Sequence, residues 1–136
     1  MEVSFSKTVS ESDVYLFAGI TGDLSPNHVN AEFMKTTPYG QRVAHGALII
    51  GYMSAASSLA VDRGLKVIDG MSPVSLGYDR VRFLKPVFFG DTITVTYKVT
   101  RTDAEARRSY ADITVSNQHG DTAAAATHVM KWIGGG

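Results

Sequence analysis

The chain has 136 residues, a length that suits one domain and is short for two. Apolar residues make up 44%, and Lys plus Arg match Asp plus Glu at 13 each, which argues against disorder and gives no global charge to attract nucleic acid. Cysteine is absent, so disulfide stapling, thiolate catalysis and cysteine-based metal sites are excluded.

The first ten residues, MEVSFSKTVS, lack a basic stretch followed by an apolar run, so no signal peptide is expected and a cytoplasmic setting is. Residues 44–61 form the longest weakly polar stretch, but they contain Gly, Ser and His and fall short of a membrane span. One domain is expected over residues 1–133, with Gly134 to Gly136 as a flexible tail.

Residues 3–9 alternate weakly and suit a short strand. Ser10 is placed to cap a helix, with Asp13 three residues on as the reciprocal partner. Val14, Phe17 and Ala18 give that helix an apolar face, and Gly19 or Gly22 should end it before Pro26. A second short helical piece is expected within residues 27–36, then a turn at Thr37-Pro38-Tyr39-Gly40. From Gly46 to about Asp62, Leu48, Ile49, Tyr52, Met53, Ala56, Leu59 and Ala60 recur at helical intervals. Small residues fill the gaps, and no charge intervenes before Asp62. A helix of about 16 residues is about 24 Å long, and this one reads as a core helix that a sheet approaches on several sides.

After Gly70 the period becomes that of strands. Residues 74–78 and 80–83 read as one bent strand or two short ones. Residues 93–100 alternate well, with Ile93, Val95, Tyr97 and Val99 on one face. Residues 110–116 follow, a hairpin connection at Asn117-Gln118-His119-Gly120, and a last strand over residues 123–133. The expected class is α+β, a single antiparallel sheet wrapped around one long helix. Such a sheet leaves an edge and a face to cover, so dimerisation is expected.

The densest polar cluster is Thr21-Gly22-Asp23-Leu24-Ser25-Pro26-Asn27-His28. In a continuous helix Asp23 and His28 would lie about 140° apart around the axis, but a loop bent by Gly22 and Pro26 brings them together. An aspartate and a histidine facing one small volume can hold a water and move protons both ways. The same residue types also serve Asx-turns and backbone hydrogen bonds. The second cluster, Arg42-Val43-Ala44-His45-Gly46, directly precedes the long helix. A helix N-terminus exposes unpaired N–H groups, and Gly46 would admit a ligand oxygen to them with no Cβ in the way. His45 reads as a cap, a core hydrogen-bonding group or a site wall. His28, His45, His119 and His128 show no strong metal-ligand spacing, so no metal is expected. No GxGxxG or Walker motif is present. Arg80, Arg82 and Lys85 put three positive charges on or beside a strand, either as a solvated face or as contacts for the phosphates of a cofactor tail.

These pieces together resemble the MaoC-like dehydratases, especially the stand-alone (R)-specific enoyl-CoA hydratases. The resemblance is carried by Phe17-Ala18, by Gly22 to His28 with Asn30, by Val43-Ala44-His45-Gly46, by Arg82-Phe83, and by Pro86-Val87 with Gly90-Asp91. It implies a hot-dog fold, a homodimer with acyl-CoA bound near the subunit interface, and no cofactor beyond the CoA of the substrate. It implies that Asp23 and His28 are catalytic and that the Gly46 N–H polarises the thioester carbonyl. The family commonly has Asn where this chain has Ser25, a shorter side chain that can still donate and accept. Leu24, Met34, Leu48, Met53 and Leu65 are offered as lining for an acyl pocket, with Ser25 and His45 beside the substrate. The alternatives are a hot-dog thioesterase, a related lyase for a branched or dicarboxylic acyl-CoA, and a binding module without turnover. His28 at this spacing favours hydration over thioester cleavage.

Overall fold

The computed structural model describes residues 1–135. The order is β1 (Glu2–Thr8), α1 (Glu11–Thr21), α2 (Pro26–Val29), α3 (Ala31–Met34), α4 (Gly46–Asp62), β2 (Met71–Phe83), β3 (Thr92–Asp103), β4 (Arg108–Ser116) and β5 (Thr122–Gly134). The five strands form one sheet in the order β1-β3-β4-β5-β2, and each neighbouring pair is antiparallel. This is the hot-dog arrangement, a sheet curved about the long helix α4.

Local chemistry sets the helix ends. Ser10 Oγ accepts the Asp13 N–H at 3.1 Å, and the Asp13 carboxylate accepts the Ser10 N–H at 3.1 Å, so the capping box is complete. Burial pushes the Asp13 carboxyl up, but the Ser10 N–H and the Lys7 ammonium outweigh it and hold it below its ordinary range. Gly22 ends α1 at φ 82°, a left-handed conformation that costs glycine nothing. The helical piece expected within residues 27–36 is two pieces. Asn30 leaves the helical region at φ −120° and restarts the chain by accepting the Phe33 N–H.

Helix α4 packs chiefly on β1 and β3. Ile49, Tyr52, Met53, Ala56 and Ala60 are buried at helical spacing and meet Ile93, Val95 and Tyr97 of β3 in one core. The expectation of close approach on several sides fails: Gly51, Ser54, Ala55 and Ser58 are exposed. Their lack of bulk and charge hides which side of the helix is covered. Strand β2 is one bent strand, with register shifts between Ser75 and Gly77 and between Asp79 and Arg82. Arg80 sits in the second shift at φ 54°, in the left-handed region that few non-glycine residues adopt. Gly134, expected within a flexible tail, instead pairs with Met71 and completes β5. Gly136 lies outside the described residues.

A buried polar network ties β2, β3 and β5. His128 is fully buried, Tyr97 Oη lies 2.7 Å from its Nδ1, and Ser75 Oγ lies 2.8 Å from its Nε2. Burial pushes the His128 pKa from 6.5 down to about 4. Between those values the unfolded chain binds more protons than the folded one, so stability rises with pH across the window. Acidification from 6.5 towards 4 should therefore cost about 3 kcal/mol at this site. Urea unfolding followed across that window should show the loss, and His128→Gln should flatten it. An equal slope in the variant would contradict the assignment.

Candidate active site

Two segments build the site, the turn from Gly22 to His28 and the chain that enters α4. Asp23 follows the left-handed Gly22, and its N–H donates to Thr21 Oγ1 at 3.2 Å. Its side chain is exposed. Ser25 is the N-cap of α2 but makes no capping bond through its hydroxyl. Its carbonyl instead accepts the N–H groups of His28 at 2.9 Å and Val29 at 3.3 Å. Ser25 thus holds the turn through its backbone, by contacts that do not depend on its side chain. Pro26 occupies the first helical position of α2, where its missing N–H costs nothing.

His28 is 8% exposed, and its Nδ1 lies 2.7 Å from the Val43 carbonyl. A carbonyl only accepts, so Nδ1 carries the proton and Nε2 keeps its lone pair in the neutral ring. Val43 also donates its N–H to the Asn27 carbonyl at 2.9 Å, so one residue clamps α2 twice. His45 is the N-cap of α4 and is 1% exposed. Its Nε2 lies 2.9 Å from the Asp23 carbonyl, and its ring stacks on His28 with centroids 3.7 Å apart and planes 24° apart.

Asp23, His28 and His45 each present one ligand-type atom, all within 4.8 Å of one another. Two nearly parallel stacked rings cannot both aim in-plane lone pairs at one ion about 2.0–2.1 Å away. A water fits better between Asp23 and His28: two hydrogen bonds of about 2.8 Å at a tetrahedral angle span about 4.6 Å.

A cleft of about 440 Å³ opens beside this group, lined by His28, Gly46, Ala47, Phe83 and Lys85 among others. The N–H groups of Leu48 and Ile49 both donate to the His45 carbonyl. Those of Gly46 and Ala47 find no backbone acceptor among the described residues, as the first turn of a helix requires. Gly46 is needed sterically as well. A Cβ there would lie 2.6 Å from Phe83 Cζ, so the Phe83 ring would have to swing aside.

The structure brings together Asp23, His28, His45 and Gly46. Lys85 also reaches the cleft, where its Nζ pairs with Asp121 at 3.2 Å. Met53 does not line it: with 0% exposure it fills the core under α4. Met34 and Leu65 are likewise buried outside it, while Leu24 is 63% exposed and is not among its lining residues. Asp23, Ser25 and His45 are not among the cleft residues either; Asp23 stands at its margin through His28, which is. Arg80 and Arg82 are exposed on the irregular end of β2, and Arg82 Nη1 donates to the Val81 carbonyl. Sequence reasoning gave no role to Asn27 and Tyr39, which line the cleft. The Asn27 Oδ1 is buried with no partner, a signal that only coordinates reveal.

The fold defines the class as a hot-dog protein. The family described as MaoC like domain matches residues 1–131, and the chain belongs to that family. It is 39% identical over 97 residues to an (R)-specific enoyl-CoA hydratase of Rhodospirillum rubrum, covering 71% of this chain and 62% of that one. The match thus spans less than two thirds of that relative's length. Among solved structures, an R-hydratase from Pseudomonas aeruginosa is 28% identical with a TM-score of 0.76, covering 96% of this chain and 78% of that one. An (R)-hydratase from A. caviae shares the fold with a TM-score of 0.83 at 24% identity, covering 96% and 93%.

Proposed function

We propose that this protein hydrates trans-2-enoyl-CoA to (R)-3-hydroxyacyl-CoA, and catalyses the reverse dehydration. The observation that carries this reading is the convergence of the Asp23 carboxylate and the His28 ring within 4.8 Å of each other, with His28 and the open N-terminus of α4 lining one cleft. The Gly46 N–H would donate to the thioester carbonyl and stabilise it most as it becomes enolate-like. Electron density then leaves C3. Asp23 removes a proton from the held water as its oxygen bonds to C3. His28 relays a proton to C2 through Nε2, because its Nδ1–H is engaged by Val43, and the proton that Asp23 took from water makes good the one delivered. The two groups exchange one proton to reset, so they act as a coupled pair.

The similarity to hydratases of R. rubrum and P. aeruginosa supports the (R) product and the CoA carrier. Lys85 at the cleft, with Arg82 and Arg80 nearby on β2, offers cations to the CoA phosphates. A homodimer is part of the reading. Edge strand β2 leaves Val74, Leu76 and Phe83 exposed, and the uncharged face of α4 is uncovered. A cytoplasmic setting goes with a CoA thioester substrate and suits a chain without cysteine.

Asp23→Asn should lower kcat for enoyl-CoA hydration at least about a hundredfold, the scale of a general base. A loss of only a few-fold would remove Asp23 from the chemistry. The second test separates the Gly46 N–H from the glycine's size. His45 already has φ −61° and ψ 135°, the conformation a following proline demands, and proline is tolerated at the first helical position. Both Gly46→Ala and Gly46→Pro displace Phe83, but only proline removes the N–H. Proline should cost about 10²-fold to 10³-fold more in kcat than alanine, and equal losses would show that the N–H does not serve the carbonyl.

A further inference from the structure

We propose that His45 is a positioning residue, one that holds Asp23 at a fixed distance from the Gly46 N–H rather than touching substrate. This rests on the hydration reading above.

An N-cap residue ordinarily turns its side chain back to its own helix. His45 makes no such bond. Its ring turns instead to the Asp23 carbonyl, 22 positions earlier, at 2.9 Å. The acceptor-only carbonyl requires Nε2–H, and the buried Nδ1 has no partner. Phe17 lies against the ring with centroids 4.8 Å apart, and His28 stacks on it. The ring is 1% exposed and is not part of the cleft lining. It therefore touches the residues that would react and is shut away from the space a substrate would fill.

The consequence follows from chain connectivity. His45 and Gly46 are consecutive, at the start of α4. The donor that holds Asp23 and the donor offered to the thioester carbonyl thus ride on one peptide unit. The backbone that carries the Asp23 carboxylate and the N–H offered to the thioester carbonyl share one anchor when the surrounding turn moves. Such fixed mutual placement is worth a large part of a rate, since a displacement of about 1 Å costs on the order of a hundredfold. Apart from this bond, the Asp23 backbone is tied by its N–H to Thr21 Oγ1 at 3.2 Å, within its own turn. His45 is its link to α4.

The test compares two variants in the intact chain with crotonyl-CoA as substrate. His45→Phe keeps the ring volume and the stacking face but removes the N–H. It should lower kcat about tenfold to a hundredfold with KM within about twofold. His45→Gln places an amide N–H near the same point and should recover most of that loss. Full activity in His45→Phe would overturn the proposal, as would no recovery in His45→Gln. A raised KM with unchanged kcat would also overturn it and make His45 a substrate wall. If His45→Phe does not fold, nitrogen-15 NMR of the wild-type histidines decides: the Nε2–H tautomer at His45 supports the link and the Nδ1–H tautomer overturns it. Wild-type protein that hydrates nothing would remove the hydration reading itself, and the same spectrum would still report on the His45 to Asp23 bond.

Discussion

The site depends on a set of cross-links between the turn after α1 and the chain entering α4. Val43 gives its N–H to Asn27 and takes the His28 Nδ1–H on its carbonyl, and His45 holds the Asp23 carbonyl. These are side-chain and backbone bonds in a largely buried setting, where a lost partner leaves an unsatisfied group and costs more than the bond alone. They fix the Asp23 backbone and the His28 ring relative to the start of α4. They also orient His28, since an imidazole whose Nδ1–H is engaged can act only through Nε2.

The rest of the fold supplies the platform. Ala44 donates its N–H to the Val87 carbonyl, and the N–H groups of Leu84 and Lys85 both donate to the Ala123 carbonyl. The clamp is thereby joined to the segment after β2 and to β5. Ala123 and Ala124 of β5 line the cleft and are themselves buried. Larger residues there would fill the space beside Gly46. The Phe83 ring closes over the Gly46 Cα on the other side, so glycine at that position serves two needs, a close aromatic contact and an accessible N–H. Buried His128, far along β5, serves packing instead: its two ring nitrogens are both engaged by Tyr97 and Ser75.

What could be read from the sequence was what local chemistry decides. The Ser10 and Asp13 capping box, the left-handed Gly22 and the extent of α4 each depend on residues a few positions apart. Asp23 and His28 could be paired because Gly22 and Pro26 forbid the continuous helix that would hold them apart. The depth of a side chain was not legible. Met53 and Leu24 are both apolar, yet one lies in the core and the other in solvent, because the face of a helix or turn that is covered is set by distant strands. The role of His45 was hidden for the same reason. Its partner is 22 positions away, and its local position left a cap, a core hydrogen-bonding group and a site wall all open. Arg80 was also opaque, since a left-handed residue in a strand is dictated by the register of β5 opposite.

The most direct measurement mixes the purified protein with crotonyl-CoA and follows the enoyl absorbance and free thiol together. A water-holding Asp23 and His28 pair beside a carbonyl-polarising N–H should consume the enoyl signal and release no thiol. Thiol release would contradict hydration and make the site a thioesterase, and no change in either signal would contradict catalysis on this enoyl thioester.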